Sequence, residues 1–460
     1  RMYAMNKPGN MQWGVAIDQM GASAGAAMHA RSILRALTGN LDLPGGDLLT
    51  GPAQDYLTDE ELEANHLLPE EQKAKQIGSD KYKLTTWPGY SLIAEQSLKY
   101  WGKAPTAEWM CEAHPPSVFR AMLTGQPYPI KAFLVSATNP VNSYGNSREV
   151  LEAMNAVEFM VCCEYWLTPT AMLSDYVLPI AGSLERPSVH TNYGCSDALI
   201  ASQRAINPLY ERKSDFDFWR LLGLRMGQAE HWPWETLEDA YLHQIEPMGY
   251  GTDTYDQFVE WYRFHYPERE YLHHVDRGGF ATPSGKVEIK SSILEKLGYP
   301  GLPSYIPPVE NETDHPELAL EFPLVLTTAG GFMPYNHSEH FQIKEVRFLR
   351  PDPFTDLNPA TAKQYGIRDG DWIWIETRRG RIKQRANLTE AVAPRVVMTQ
   401  RGWWYPERDM RAAELGGCLE SNANVLTSTE DEHCDPIGGG WACRGLLCRI
   451  YKVYDSKGVK

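Results

Sequence analysis

Apolar residues recur along this chain with two different periods. Residues 26–37 carry them at helical spacing, and Thr38-Gly39-Asn40 stops the run, which predicts a helix after an entry loop. Leu43-Pro44-Gly45-Gly46 follows as a turn. From residue 130 short apolar runs take over. Residues 131–136 read as a buried strand with the exit loop Ala137-Thr138-Asn139-Pro140, and residues 149–156 as a helix. Residues 159–163 read as a second strand ending at Glu164, Leu167-Thr168-Pro169-Thr170 as the lead into another helix, and residues 174–179 as a third strand. Strand, helix, strand, helix, strand is a βαβ series and hence a parallel sheet. Such sheets bind ligands beyond the carboxyl ends of their strands. Asn139 and Glu164 therefore fall on one rim, where an acid accepts hydrogen bonds from a ribose or a guanine edge. The alternative is that Asn139 only starts a turn before proline and Glu164 only ends a solvated loop.

Farther on, Ser214-Asp215 before an apolar-periodic run is a helix start. Residues 229–275 are rich in Trp, Tyr, His and acid and fit helices. His273-His274 lack a carboxylate at ligand spacing and read as surface or core histidines rather than metal ligands. Residues 301–316, proline-rich and acidic, read as a linker. Beyond it the strand period dominates. An apolar run at 322–328 opens into Ala329-Gly330-Gly331, a strand end that leaves room close to its backbone. The dense polar stretch Asn336-His337-Ser338-Glu339-His340 comes next. Residues 372–377, a tight turn at Arg379-Gly380, residues 382–388, residues 396–400 and a final strand at 447–450 complete the run. The expected fold class is α/β: an αβα parallel-sheet domain at 1–300, a linker at 301–319, and a small β-barrel of six or seven strands at 320–460 with a glycine-lined, polar mouth.

Composition narrows the function. A chain of 460 residues is too long for one ordinary core. Its 43% hydrophobic and 22% charged residues are those of a globular protein, and no apolar stretch is long enough to span a bilayer. A formal charge of −15 argues against nucleic acid as a partner. The 14 Trp and 24 Tyr supply flat surfaces for core packing or for stacking on a flat cofactor. The eight cysteines form no Cys-x-x-Cys pair, so this chain is not expected to hold a structural zinc or iron–sulfur site; Cys162 and Cys163, inside an apolar run, read as buried thiols. Arg1-Met2-Tyr3 does not look like a natural start and shows no signal-peptide pattern, which leaves cytoplasm and periplasm both open.

Five motifs in order carry a resemblance: Thr327-Thr328-Ala329-Gly330-Gly331, His337-Ser338-Glu339-His340, Gly366-Ile367-Arg368-Asp369-Gly370-Asp371-Trp372, Arg379-Gly380-Arg381-Ile382 and Gly402-Trp403-Trp404-Tyr405-Pro406-Glu407. Together they resemble the C-terminal dinucleotide-binding domain of the molybdopterin oxidoreductases, the dimethyl-sulfoxide-reductase superfamily. Leu37 to Gly46, Thr138-Asn139-Pro140, Thr168-Pro169-Thr170 and residues 280–288 extend the likeness over nearly the whole chain. It is the rear part of the family's catalytic subunit that is matched. Within the superfamily, the closing motifs resemble a branch of acetylene hydratase, anaerobic aromatic dehydroxylases and thiosulfate or polysulfide reductases. Two departures stand out. Arg186-Pro187 occupy the place of an expected glycine ahead of Asn192, and Phe332 follows Gly331 where many members have arginine.

The resemblance implies two pyranopterin guanine dinucleotides around molybdenum or tungsten, and redox or hydration/dehydroxylation of a small substrate. The 4Fe-4S cluster and the loop with the metal's protein ligand belong to the front part, so no catalytic or metal-ligating residue is assigned here. A longer chain or a partner chain carrying the cluster is implied, with an electron-transfer subunit as a further partner. The cofactor-binding candidates are Asn139, Glu164 and Thr168 at the sheet, Thr328, Ala329 and Gly330 for a pyrophosphate, and His337, Ser338, Gln400 and Asn424 for polar pterin edges. Arg401 suits a phosphate or a pterin oxygen. A structural subunit with the same fold and no pterin is the alternative, and an unrelated nucleotide-binding module leaves the barrel motifs unexplained.

Overall fold

The computed structural model describes residues 1–11, 14, 21–107, 110–191, 197–409 and 412–454. Along the chain come helices α1 (Ala24–Thr38), α2 (Trp87–Trp101) and α3 (Pro115–Thr124), strand β1 (Ala132–Ser136), helix α4 (Ser147–Ala156), and strands β2 (Phe159–Glu164), β3 (Tyr176–Pro179), β4 (Ser188–Thr191) and β5 (Leu199–Ser202). Helices α5 (Asp215–Arg225), α6 (Leu237–Ile245) and α7 (Tyr255–Tyr262) and strand β6 (Phe264–His265) follow. The last third holds β7 (Leu324–Gly330), β8 (Phe354–Leu357), β9 (Trp372–Thr377), β10 (Gly380–Leu388), β11 (Val396–Gln400) and β12 (Arg444–Lys452). Among the described residues no helix is long and apolar enough to cross a membrane.

Two compact units divide these elements. The first comprises Arg1–Trp13, Ala26–His114 and Pro179–Ser304. Its antiparallel sheet β4-β5-β6 buries Leu199 and Ala201 against Ile245, Tyr255, Phe258 and Val259 of α6 and α7. Ser214 starts α5 as expected: its hydroxyl accepts from Asp217 N at 3.1 Å, and the Asp217 carboxylate accepts from Ser214 N in return. Such a reciprocal cap stabilises a helix by about 1 kcal/mol. His273 is a packing residue, because its Nδ1 lies 2.7 Å from the buried Asp42 carboxylate, which also accepts from Leu49 N. At the Arg186-Pro187 departure the chain is held by its neighbour. The buried Glu185 carboxylate accepts from Gly182 N, Leu209 N and Arg212. Asn192 lies outside the described residues.

The second unit comprises Gly14–Gly25, Pro115–Leu178 and Tyr305–Lys460. Its sheet runs β1-β2-β3, with β1 and β2 parallel from Ala132↔Phe159 to Ser136↔Cys163. Val135, Met160 and Cys162 pack on Phe119 and Met122 of α3 and Val150 and Met154 of α4. Cys162 and Cys163 are buried thiols, as expected. The helix expected after Thr170 is a single 3-10 turn, Ala171–Leu173. Thr168 Oγ1 and Asn139 Oδ1 take the N–H groups of Ala171 and Thr170, and Asp175 N already returns to Met160 O, so little chain is left to wind.

The barrel closes in the order β10-β8-β11-β7-β12-β9. Six strands close on themselves, and closure leaves no open edge. β9 shows the alternation that builds it: Ile373, Ile375 and Thr377 point inward while Trp372 and Trp374 face outward under Arg385 and Arg381, whose guanidinium carbons lie 4.7 and 4.5 Å from the rings. Leu324, Leu326, Leu357, Ile382, Val397 and Ile450 fill the interior. Two pairings are parallel, β7 with β11 and β8 with β10. The proline-rich stretch before β7 is tied down rather than free. Glu310, 3% exposed, ion-pairs with Arg379 at 2.8 Å and accepts from Leu447 N at 3.0 Å.

Candidate functional site

One rim of the barrel gathers the polar motifs, for a topological reason. β7 and β11 are parallel and β12 is antiparallel to β7. The carboxyl ends of β7 and β11 therefore meet the start of β12. That rim carries Thr328-Ala329-Gly330, Gln400-Arg401 and Cys443-Arg444, with Gly330 paired to Gln400. Thr328 is buried and donates from Oγ1 to Cys443 O at 3.0 Å. Ala329 is exposed, and a Cβ built on Gly331 would meet only Ala329 O, at 3.9 Å. The backbone past β7 thus faces open space.

Gln400 is held from inside the barrel. Gln384 on β10, fully buried, donates from Nε2 to Gln400 O at 2.8 Å and to Ser421 O at 2.9 Å, and its Oε1 accepts from Thr355 Oγ1 and Gln400 N. The Gln400 side chain accepts from Phe354 N at 3.3 Å, while its buried Nε2 has no hydrogen-bond partner. A buried donor without an acceptor costs about 1–3 kcal/mol unless something else pairs it.

A second cluster lies where the β1 exit loop meets the barrel loops. Asn139 Nδ2 donates to Ser338 Oγ at 3.2 Å, and its Oδ1 accepts from Thr170 Oγ1 at 2.6 Å. Ser338 has φ +73°, and it presses on Gly402, at φ +72°, where a Cβ would come within 3.0 Å of Ser338 N. Only glycine fits there. Asn142, which the sequence did not single out, is the hub. Its Nδ2 donates to the carbonyls of Gly402 and Trp403, and its own carbonyl accepts from Asn422 Nδ2 at 3.1 Å and Asn424 Nδ2 at 2.7 Å. Asn142 Oδ1 is buried and unpartnered.

Of the candidates, the structure joins Asn139 with Ser338 directly, and Thr328, Gly330 and Gln400 through paired strands. Asn424 spends its amide nitrogen on Asn142 O. Thr168 is buried and accepts from Ala171 N. Glu164 ends β2 and accepts from Tyr165 N at 2.7 Å; burial holds its carboxyl above the usual range. Burial also lowers the Arg401 pKa, and the nearby Arg444 charge adds to that. The His337 side chain lies outside the described residues. Gln384 was legible in principle, since it stands in phase with the inward Ile382 and Ala386 of β10. Asn142 carried no such signal.

A molydopterin dinucleotide binding domain model matches residues 326–446, and a molybdopterin oxidoreductase model matches residues 17–225. The chain belongs to the molybdopterin oxidoreductase family. Its α/β fold with a closed barrel agrees with that of acetylene hydratase from Pelobacter acetylenicus, which it matches with a TM-score of 0.91 at 33% identity, over 98% of this chain and 62% of that one. In sequence it is 35% identical to the acetylene hydratase of Syntrophotalea acetylenica, over 98% of this chain and 61% of that protein. It is 28% identical to the dopamine dehydroxylase of Eggerthella lenta, over 97% of this chain and 48% of that protein. The chain thus spans about half to three fifths of the relatives it resembles. The family's molybdopterin dinucleotide is a group that this rim fits: unpaired amide and guanidinium nitrogens stand beside an open glycine-ended strand.

Proposed function

We propose that this chain is the cofactor-cradling rear portion of a bis-pyranopterin guanine dinucleotide enzyme with molybdenum or tungsten. The enzyme would act on a small molecule by redox chemistry, hydration or dehydroxylation. The observation that carries the reading is the barrel rim, where a dinucleotide-binding family match falls on Thr328, Gly330 and a buried, unpaired Gln400 amide. When bound, the cofactor supplies the redox-active or Lewis-acidic metal through its dithiolene sulfurs.

The residues of this chain bind and orient. The backbone at the Ala329-Gly330 strand end, with open space at Gly331, would meet a pyrophosphate, and Arg401 would offer it charge. Gln400 Nε2 offers a donor to a pterin oxygen, and His337, Ser338 and Asn424 belong to the same set. Asn139, Glu164 and Thr168 belong to the guanosine end of one dinucleotide. There a half-buried carboxyl accepts from a guanine edge more readily than water would allow. An iron–sulfur cluster and the metal's protein ligand are proposed for the portion of the relatives that this chain does not span, in a longer chain or a partner. The polar character of the rim favours this reading over a pterin-free structural subunit.

Metal analysis and acid release of GMP from the full-length protein test it. Near-stoichiometric molybdenum or tungsten with bound GMP is expected, and a folded protein with neither would refute the reading. The 460-residue chain alone is expected to show no turnover.

A further inference from the structure

The stretch 229–275, rich in Trp, Tyr, His and acid, has no part in the site described so far. Within the first unit it assembles a hydrogen-bonded row. His265 Nε2, on β6, lies 2.9 Å from Asp55 Oδ2, and its Nδ1 lies 2.7 Å from the Tyr250 hydroxyl. A carboxylate only accepts, so Nε2 carries the proton, and in the neutral ring Nδ1 is left to accept from the phenol. The members of the row are held in place. Asp55 N donates to Asp197 Oδ1 at 2.7 Å. Tyr250 stands between Gly249 and Gly251, both in the left-handed region at φ +68° and +63°. Its ring stacks on Tyr262, with centroids 4.0 Å apart and planes 17° apart. Trp261, 57% exposed, meets Tyr262 edge-on at 6.4 Å. An aromatic path thus runs from the surface at the end of α7 to a phenol that has its own proton acceptor. A phenol that loses an electron becomes a strong acid, and it keeps the hole only where a base takes its proton. Burial, the Asp55 charge and Tyr262 raise the Tyr250 pKa, so the phenol holds that proton until it is oxidised.

We propose that Tyr250 is a proton-coupled one-electron donor, and that Trp261, Tyr262, Tyr250, His265 and Asp55 form a path that draws oxidising equivalents from the surface. The oxidant is of the oxygen-radical class, able to take one electron from an indole. Trp261 gives that electron and is refilled from Tyr250 through the Tyr262 ring. The phenolic O–H bond breaks, its proton goes to His265 Nδ1, and a neutral phenoxyl radical remains on Tyr250. Asp55 is a positioning residue: it fixes the tautomer and stabilises the imidazolium so formed. One electron from a thiolate, which becomes a thiyl radical, resets the phenol as the proton returns from Nδ1.

The test uses the full-length protein, oxidised by photogenerated tris(bipyridine)ruthenium(III) in the presence of a nitroso spin trap. Trap adducts are mapped by peptide mass spectrometry, and the radical is followed by electron paramagnetic resonance. The wild type is expected to carry more adduct on Tyr250 than on Tyr262 or on the far more exposed Tyr210. Tyr250→Phe should leave the adduct on Trp261, and Trp261→Phe should cut the yield of the Tyr250 radical. His265→Gln should lower the Tyr250 adduct at least about tenfold, the worth of one lost charge-assisted hydrogen bond, and shift it to Trp261. Asp55→Asn leaves the phenol–imidazole bond in place and should act in the same direction, so it carries the test if His265→Gln does not fold. A Tyr250 adduct no larger than that of Tyr210, or one unchanged in both His265→Gln and Asp55→Asn, overturns the proposal and leaves the row as a packing clamp. An equal Tyr250 radical yield in Trp261→Phe overturns the path from the surface.

Discussion

Glu310 offers the sharpest test of how the barrel is held. Its carboxylate is buried, with Arg379 Nη1 at 2.8 Å, Arg378 Nε at 3.2 Å, His433 Nε2 at 3.6 Å and Leu447 N at 3.0 Å. Burial alone would raise its pKa. The His433 hydrogen bond, the Arg379 charge and the Leu447 N–H outweigh it, and the carboxyl falls from 4.5 to about 2. That difference corresponds to about 3 kcal/mol of stability. Because the folded value is the lower one, the stabilisation is fully present above pH 4.5. It declines as pH falls and is gone below about 2. By pH 3 less than half should remain, roughly 1–1.5 kcal/mol. Glu310→Gln keeps the shape and removes the charge, leaving Arg379 with Glu430 at 3.1 Å. At pH 7 the variant should lose about 3 kcal/mol, or on the order of 6–12 °C in the melting temperature of a unit this size. Thermal melts of both proteins by circular dichroism at pH 7, 5 and 3 check this. A gap that stays constant across that range, or is absent at pH 7, would refute the assignment of the stability to this ion cluster.

Three further outcomes follow from single residues. Gln384→Leu removes four hydrogen bonds of a fully buried amide and should cost about 2–4 kcal/mol in urea denaturation. It should also lower GMP retention, because Gln400 loses its backbone anchor. Gly402→Ala forces a side chain into the left-handed region and onto Ser338 N, and a loss of about 1–3 kcal/mol in melting experiments is expected. Glu164→Ala should reduce bound GMP without destabilising the fold at neutral pH: a carboxyl whose pKa burial has raised weakens the folded state once it ionises. A large fall in melting temperature with unchanged GMP would reverse that role.

The strands of the barrel were legible because their side chains alternate in a closed, one-core cylinder. β9 buries every second residue, and the period fixes both its limits and its inward face. β8 was not found, since four residues between Pro353 and Asn358-Pro359 give too short a run to show a period. Pairing order was not readable either. Nothing local in residues 396–400 says that they lie parallel to residues 324–330. At the site, types of residue were legible and their commitments were not. Asn139 and Asn424 stood out as polar loop residues, yet each spends hydrogen bonds on its own protein. Asn142 looked like any loop asparagine until four carbonyl contacts placed it at the centre of the loop cluster.

The unit that carries the site is written in pieces along the gene. Residues 115–178 belong with residues 305–460, and β12 is the strand that closes the barrel between β7 and β9. A ribosome delivers the β1–β3 sheet well before Trp403 and the closing strand β12. At roughly 5–20 residues per second, the early sheet waits on the order of tens of seconds for the loops that cover it. Through that interval apolar side chains of this sheet and of α3, such as Val135, Met160 and Phe119, have no Trp403 or Trp404 to pack against. Holding chaperones therefore gain a long window on the nascent chain, and early translation stops should yield insoluble products. Synonymous codons that slow elongation between residues 179 and 304 should lower the yield of folded protein more than the same codons placed after residue 452.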